Sequence, residues 1–447
     1  PALSFAVRYL KTAAGIMITA SHNPAKYNGY KVYGEDGAQM NVADSATVLS
    51  FIEKTDIFTG VKQADIQKAQ AEGLIQVIDE DVLTPYLQAV TACVQNKALL
   101  AESAADLKIV YTPFHGTGYK PVMRALQEVG FTNVYPVLEQ AKRDPDFSTV
   151  KSPNPEDPAG FAMAIDLAKE KDADVIIGTD PDSDRIGVFC RTADGYAPLN
   201  GNQTGVLLME YVLSQRKNLI PEDYAVSTVV STKMTEKIAA AYGIQLYLVY
   251  TGFKFIAGVI KAHEEHPNGG SYLFGFEESF GYLPGTYARD KDAVSAALLV
   301  CEAATYYKKQ GKTLLDAVED MRRKYGYFLE YTESLYMEGI DGMERMKALM
   351  EHVAENPFRK IGNAEVLAYR NYNKSYREDY RTGEKTPIDM EPSNVLYFEL
   401  ENNGFLILRP SGTEPKIKVY FSVVGKSAAD AQQKLDALRR DAKEVLA

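Results

Sequence analysis

The strongest constraint on the fold of this chain is a rhythm. Short apolar runs of strand length alternate with segments of helical period, and the alternation starts three times before residue 326. In the first round "GIMI" at Gly15–Ile18 runs into Ser21. The pattern "YKVYGEDGAQM" then predicts a hairpin turning at Gly34-Glu35-Asp36-Gly37, and helical patterns follow near Asp44–Lys54 and Glu80–Leu100. The second round opens at Asp106 with the strand "LKIVYTPF", the helix "GYKPVMRALQEVG" and the strand "FTNVYPV". Asp157-Pro158 predicts a helix start, an N-cap followed by proline at the first helical position, and "ADVIIGT" a strand before the hairpin "RIGVFCRTADGYAPL". The third round runs from Asn200 through the strands "AVSTVVS", "QLYLVY" and "SYLFGF" to a long helix from Asp292. Repeated strand–helix–strand units imply sheets that are mostly parallel, with helices packed on them.

The character changes at Tyr327. "YFLEYTESLYM" is strand-like, "MERMKALMEHVAE" helical, and the polar stretch Asn371–Asp389 reads as a loop. "NVLYFELENNGFLILRP" and "KIKVYFSVV" read as antiparallel strands before a last helix from Ala428. A chain of 447 residues exceeds one hydrophobic core, so several domains are required. The fold class is therefore α/β: three consecutive α/β domains with mixed, mostly parallel sheets and a C-terminal α+β domain. The boundaries fall at 1–102, 103–199, 200–326 and 327–447.

The net charge of −11 argues against a non-specific nucleic-acid partner, and no apolar run reaches membrane-spanning length. Cys93, Cys190 and Cys301 are too few and too scattered for a disulfide framework or a zinc site, so a cytoplasmic location is expected.

Four loops carry chemistry. In "GTDPDSDRIG", directly after a strand, Asp180, Asp182 and Asp184 alternate; an extended backbone would put all three carboxylates on one side, where their repulsion asks for a cation. Few oxygen ligands at a strand end suit Mg²⁺, with Arg185 as a phosphate fork. An EF-hand is excluded, because its glycine and glutamate positions hold Arg185 and Arg191. The bland alternative is a solvated acidic turn. In "RPSGTEPKIK", Arg409, Ser411, Gly412 and Thr413 could cradle a phosphate, though a plain hairpin turn has similar punctuation. In "LFGFEESFGYLPGTYARDKDA", Glu277 and Ser279 could grip sugar hydroxyls, and Arg289 and Lys291 bring positive charge, where the alternative is a charged helix start. Thr251, Gly252 and Lys254 in "TGFK" precede a helix whose N-terminus suits an anion, a weak motif by itself. His115 fits a structural turn better than a ligand. Beside such loops, the serine of "TASHNPAKYNGYK" could carry a phosphoryl group, with Lys31 as general acid/base if neighbouring cations depress its pKa.

Taken in order, "TASHNPAKYNGYK", "GTDPDSDRIG", "GFEESFGYLPG" and "RPSGTEPKIK" resemble the motifs of the α-D-phosphohexomutase superfamily, and most closely its bacterial phosphoglucomutase/phosphomannomutase branch. The resemblance spans essentially the whole chain. It implies a phosphoserine at Ser21 with His22 beside it, and Mg²⁺ held by Asp180, Asp182 and Asp184 with Ser21 completing the ligands. It also implies an arginine by the metal loop at Arg185, a sugar-hydroxyl pair at Glu277 and Ser279, and a site for the non-transferring phosphate at Arg409, Ser411, Gly412 and Thr413. Lys31 and Lys291 match the active-site lysines. The implied reaction interconverts hexose 1-phosphate and 6-phosphate, of glucose and/or mannose, through a bound glucose 1,6-bisphosphate-type intermediate that reorients in a central cleft. The implied partners are small sugar phosphates, to a monomer or a homodimer. Relatives open with a strand and a glycine-arginine loop that nothing before Ser21 matches, so the first domain reads as lacking its opening strands. Other readings are a phosphopentomutase, an aspartyl phosphatase with Asp180 as nucleophile, and a sugar-phosphate binding protein without turnover.

Overall fold

The computed structural model describes residues 1–337, 339, 341–412 and 414–446. They form two compact units, one of Pro1–Val229 with Ala239–Val318 and the other of Val230–Ile238 with Glu319–Ala447.

The first unit holds three sheets. β1 (Ala14–Ile18) and β2 (Tyr30–Gly34) form an antiparallel pair with Met17 opposite Lys31. β3 (Ile109–Thr112), β4 (Val134–Pro136), β5 (Val175–Thr179), β6 (Ile186–Thr192) and β7 (Gly195–Leu199) follow the order β4-β3-β5-β6-β7. In that sheet β3 lies parallel to both β4 and β5, and the two later pairings are antiparallel. β8 (Tyr224–Thr228), β9 (Gln245–Val249), β10 (Tyr272–Glu277) and β11 (Gly281–Leu283) follow the order β11-β10-β8-β9, with β8 parallel to its two neighbours. β5 and β8 are buried along their whole length, as strands covered on both faces must be.

One helix lies at the centre of this unit. Ala293–Lys308 is apolar on all sides, and every residue from Ala293 to Thr305 is buried. It packs on the helices Glu80–Thr91, Lys97–Ser103, Tyr119–Glu128 and Gly201–Ser214. Asp292 starts it, accepting from the backbone N–H groups of Val294 and Ser295 and from the hydroxyls of Tyr86 and Tyr287.

The second unit is an antiparallel sheet of β12 (Tyr327–Tyr336), β13 (Lys360–Ile361), β14 (Ala364–Asn371), β15 (Tyr376–Asp379), β16 (Lys385–Pro387), β17 (Leu396–Leu400), β18 (Phe405–Pro410) and β19 (Lys416–Gly425). The helices Gly342–Glu355 and Ala428–Leu446 cover it, burying Met346, Met350, Leu435 and Leu438 against Phe398, Leu406 and Val419.

Two expectations are corrected. The helix expected over Glu80–Leu100 is two helices, because Asn96 caps Leu99 N–H and buried Glu302 accepts the backbone N–H groups of Gln95 and Asn96 at the break. The loop expected over Asn371–Asp389 contains β15 and β16. β16 is the edge strand and β15 the one next to it, and both are tied by charge, Lys385 to Glu378 (3.4 Å) and Arg377 to Glu399 (2.8 Å), so no apolar period marks them. β11 and the helix Leu314–Tyr325 were not expected from the pattern. Among the described residues no helix is long and apolar enough to cross a membrane.

Candidate active site

The acidic loop links β5 to β6. It is not extended: Ser183 takes a left-handed φ of 57°, and its N–H bonds to Asp180 O at 3.0 Å. The carboxylates converge because the chain turns, not because alternate residues share a face. Asp180 Oδ1 shapes the turn, accepting from the N–H groups of Asp184 and Arg185, both at 3.0 Å. One carboxylate oxygen from each of Asp180, Asp182 and Asp184 lies within 4.8 Å of the others, and all three residues are buried. Asp180 Oδ2, Asp182 Oδ1 and Asp184 Oδ1 have no hydrogen-bond donor. Converging buried oxygens without donors are the coordination set of a hard divalent cation, so the residues fit Mg²⁺.

Two ammonium groups meet this cluster from other segments. Lys31, on β2, lies 2.7 Å from Asp182 Oδ2 and 2.6 Å from Asp184 Oδ2. Lys291 lies 3.0 Å from the same Asp184 oxygen. Gly281 leaves room for the Lys291 stem, since a Cβ there would stand 2.3 Å from Lys291 Cδ. Burial alone would push Asp184 up, but Lys291, Lys31 and Arg185 together hold its carboxyl well below the usual range. Burial, reinforced by Asp182 and Asp184, drives Asp180 the other way, because it faces no ammonium directly. Lys31 corrects an expectation. Burial lowers its pKa, but Asp184, Asp182 and Asp290 outweigh burial and hold it above its ordinary value. Carboxylates, not cations, are its nearest neighbours.

The serine loop follows β1. Ser21 is left-handed, with φ 53°, a conformation a non-glycine residue holds only when its surroundings fix it. Its N–H donates to Thr19 Oγ1 (2.8 Å), Ser152 Oγ donates to His22 O (2.9 Å), and Asn23 N–H donates to Ala20 O (3.1 Å). Ser21 Oγ stands 3.2 Å from His22 Nδ1. Burial, then Arg185, Lys31 and Lys291, push His22 down to about 3 against the opposing pull of Asp184. The ring is therefore neutral near neutral pH.

Arg185 ties the acidic loop to the β10–β11 turn. Its Nη1 donates to Glu156 Oε1 (2.9 Å) and to Ser279 O (3.0 Å), and Ile186 N–H donates to Phe280 O (3.1 Å). Glu277 ends β10 and accepts the N–H of Gly252, whose φ of 117° favours glycine. Thr251 Oγ1 is buried without a partner, and Lys254 lies over the Phe255 ring. Glu278 is turned to Thr228 Oγ1, which donates to it at 3.1 Å.

Ser21, His22, Lys31, Asp180, Asp182, Asp184, Arg185, Lys291, Glu277 and Ser279 are thus joined by direct contacts or by shared fields. Arg289 is not brought to this cluster. It is 1% exposed, and its guanidinium is spent on Glu264 and the carbonyls of Thr286 and Ala288. Arg409, Ser411 and Gly412 lie in the second unit, at the β18–β19 turn, where Ser411 N–H donates to Lys416 O (2.8 Å). Thr413 lies outside the described residues. His115 is structural, its ring nitrogens 2.8 Å from Lys142 O and 2.7 Å from Thr149 Oγ1.

Sequence reasoning missed Ser152, Glu156 and Asp290. The signal for Asp290 was a run of four charged residues, Arg289 to Asp292, between apolar segments: charges carried into a core must pair. Ser152 and Glu156 sit in a proline-rich loop with no periodic pattern to mark them.

Four family models match the chain in order. Phosphoglucomutase/phosphomannomutase alpha/beta/alpha domain I matches residues 1–57, domain II 84–195, domain III 200–325 and the C-terminal domain 378–439. A phosphoglucomutase of Staphylococcus aureus (strain MSSA476) is 39% identical over 442 residues, 98% of this chain and 77% of its own length. Among solved structures, a putative phosphomannomutase from Thermus thermophilus aligns with a TM-score of 0.71 at 19% identity, covering 100% of this chain and 81% of its own. An N-acetylphosphoglucosamine mutase of Aspergillus fumigatus, in complex with GlcNAc-6P and magnesium, aligns at 0.54 with 13% identity, over 100% of this chain and 91% of its own.

Proposed function

This chain belongs to the phosphoglucomutase/phosphomannomutase family and is a phosphohexomutase, an intramolecular phosphotransferase; from that premise we propose that it interconverts the 1- and 6-phosphates of glucose and/or mannose through a phosphorylated Ser21. One observation carries the reading. Lys31, on the strand that pairs with the one leading into Ser21, is bridged to both Asp182 and Asp184, which sets the serine loop against the acidic cluster.

In this reading phosphorylated Ser21 gives its phosphoryl group to the free hydroxyl of a hexose monophosphate. The Oγ–P bond breaks as the sugar O–P bond forms, and the proton that the sugar hydroxyl gives up is balanced by the one that Ser21 Oγ takes on. The resulting hexose 1,6-bisphosphate, glucose 1,6-bisphosphate for glucose, reorients and returns its other phosphate to Ser21. Asp180, Asp182 and Asp184 would hold Mg²⁺ with the phosphoserine, and the bound cation would supply electrostatic stabilisation of phosphoryl oxygens. The chain's own groups do the rest. Neutral His22 adds no charge and can accept the Ser21 hydroxyl proton in a hydrogen bond, orienting Oγ. Lys31 and Lys291 enter as ammonium groups, so they are proton donors and counter-charges to phosphate. Glu277 and Ser279 present a carboxylate and a hydroxyl for sugar hydroxyls, with Thr251, Gly252 and Lys254 beside them. Arg409, Ser411, Gly412 and Thr413, in the second unit, are residue types with the charge and donors to bind a phosphate. A cytoplasmic location is supported by Cys93, Cys190 and Cys301, all free thiols.

The test is turnover of glucose 1-phosphate to glucose 6-phosphate in a coupled assay. Ser21→Ala is expected to abolish turnover while sugar-phosphate binding persists. Undiminished turnover would exclude Ser21 as the carrier.

A further inference from the structure

Asp290 lies between two residues singled out by their charge, yet it makes the more telling contacts. It is 1% exposed and receives four donors on its two oxygens. Oδ1 accepts from the backbone N–H of Lys291 (2.9 Å) and from Lys291 Nζ (3.2 Å). Oδ2 accepts from Tyr33 Oη and Gln39 Nε2, both at 2.8 Å. Tyr33 stands two residues beyond Lys31 on β2, and Gln39 pairs with Tyr33 across the hairpin turn. Period two puts Tyr33 and Lys31 on one face of that strand. The contacts close a ring: Lys31 to Asp184, Asp184 to Lys291, Lys291 to Asp290, Asp290 to Tyr33, and along β2 back to Lys31.

Helix capping does not explain this residue, because Asp292 caps the helix that follows. Nor does stability explain it well. A buried carboxylate carries a desolvation cost that a neutral side chain of similar size would avoid. Asp290 binds Lys291 and, through Tyr33, the strand that carries Lys31, and both ammonium groups meet one carboxylate oxygen, Asp184 Oδ2.

We propose that Asp290 is a positioning residue for phosphoryl transfer, holding Lys291 directly and Lys31 through the Tyr33–Gln39 hairpin so that both ammonium groups meet the acidic loop. The inference rests on the reading of Lys31 and Lys291 as active-site groups. Phosphoryl transfer depends on fixed charges at fixed places, so a group that sets their spacing acts on the chemical step more than on substrate capture.

The experiment measures kcat and KM for glucose 1-phosphate, with melting curves, for Asp290→Asn, Tyr33→Phe, Lys291→Met and the double variant Asp290→Asn/Lys291→Met. Asp290→Asn is expected to lose roughly 100-fold in kcat with KM nearly unchanged. Tyr33→Phe, which removes one donor and leaves the charge paired, is expected to lose less, again in kcat. It serves as the test if Asp290→Asn does not fold. The double variant is expected to lose less than the product of the two single losses, because Lys291→Met has already broken the Lys291 linkage and only the arm to Lys31 is left for Asp290→Asn to remove. Wild-type kcat in Asp290→Asn, or in Tyr33→Phe where that serves as the test, with Lys291→Met impaired, would overturn the inference alone. So would losses that multiply in the double variant. Wild-type turnover in Lys291→Met would overturn the reading of the site and the inference with it.

Discussion

At the scale of single residues, charge placement decides which groups are protonated. His22 stands beside Ser21 under the combined influence of burial, Arg185, Lys31 and Lys291, which push it down to about 3 from an ordinary 6.5. Its native pKa is therefore below the unfolded one. Between those values the unfolded chain binds a proton that the native chain refuses, so this contribution to stability is complete above about 6.5 and fades as pH falls toward 3. The His22 ring resonances are expected to show no titration between pH 8 and 5, and His22→Gln to flatten the loss of stability over pH 6.5 to 3. A midpoint near 6.5 would place the ring outside that field. Much of this site was legible beforehand. Asp180, Asp182, Asp184, Lys31 and Lys291 were marked by residue type and order. The direction of the Lys31 shift was not, because it depends on Asp182 and Asp184 arriving from a loop about 150 residues away. Arg289 misled for the same reason: a charged letter before a helix does not say which way its guanidinium turns.

At the scale of elements, the helix Ala293–Lys308 organises the first unit, and its one buried acid shows how. Glu302 accepts the backbone N–H of Gln95 (3.1 Å) and of Asn96 (2.5 Å) where two helices break. Glu302→Ala leaves two half-buried donors without their acceptor and is expected to cost about 2 kcal/mol, read as a fall in Tm of several degrees. Glu302→Gln keeps an acceptor and should lose less; equal losses would mean that packing, not the acceptor, matters there. Periodic segments such as Tyr119–Glu128 and Val175–Thr179 were readable because one face or the whole strand is buried. The break at Asn96 and the strands β15 and β16 were not, since tertiary acceptors and cross-strand charges fix them rather than local apolar period. The acidic loop is a middle case. Its residues were found, but the left-handed Ser183 that gathers them was hidden from any pattern of alternation.

At the scale of the molecule, residues from three successive sequence-domains converge within the first unit: Ser21 and Lys31, then Asp180 to Arg185, then Glu277 to Lys291. Convergence of this kind makes a relay between a serine and a cation site physically reasonable, and it makes the phosphorylated serine the central claim. The most direct measurement is phosphopeptide mapping by mass spectrometry after incubation with glucose 1,6-bisphosphate and Mg²⁺, with an EDTA arm. The account predicts phosphate on the peptide containing Ser21, removed by adding glucose 1-phosphate and absent or strongly reduced in EDTA. Phosphate on Asp180 instead, or turnover without any phosphate on Ser21, would contradict it.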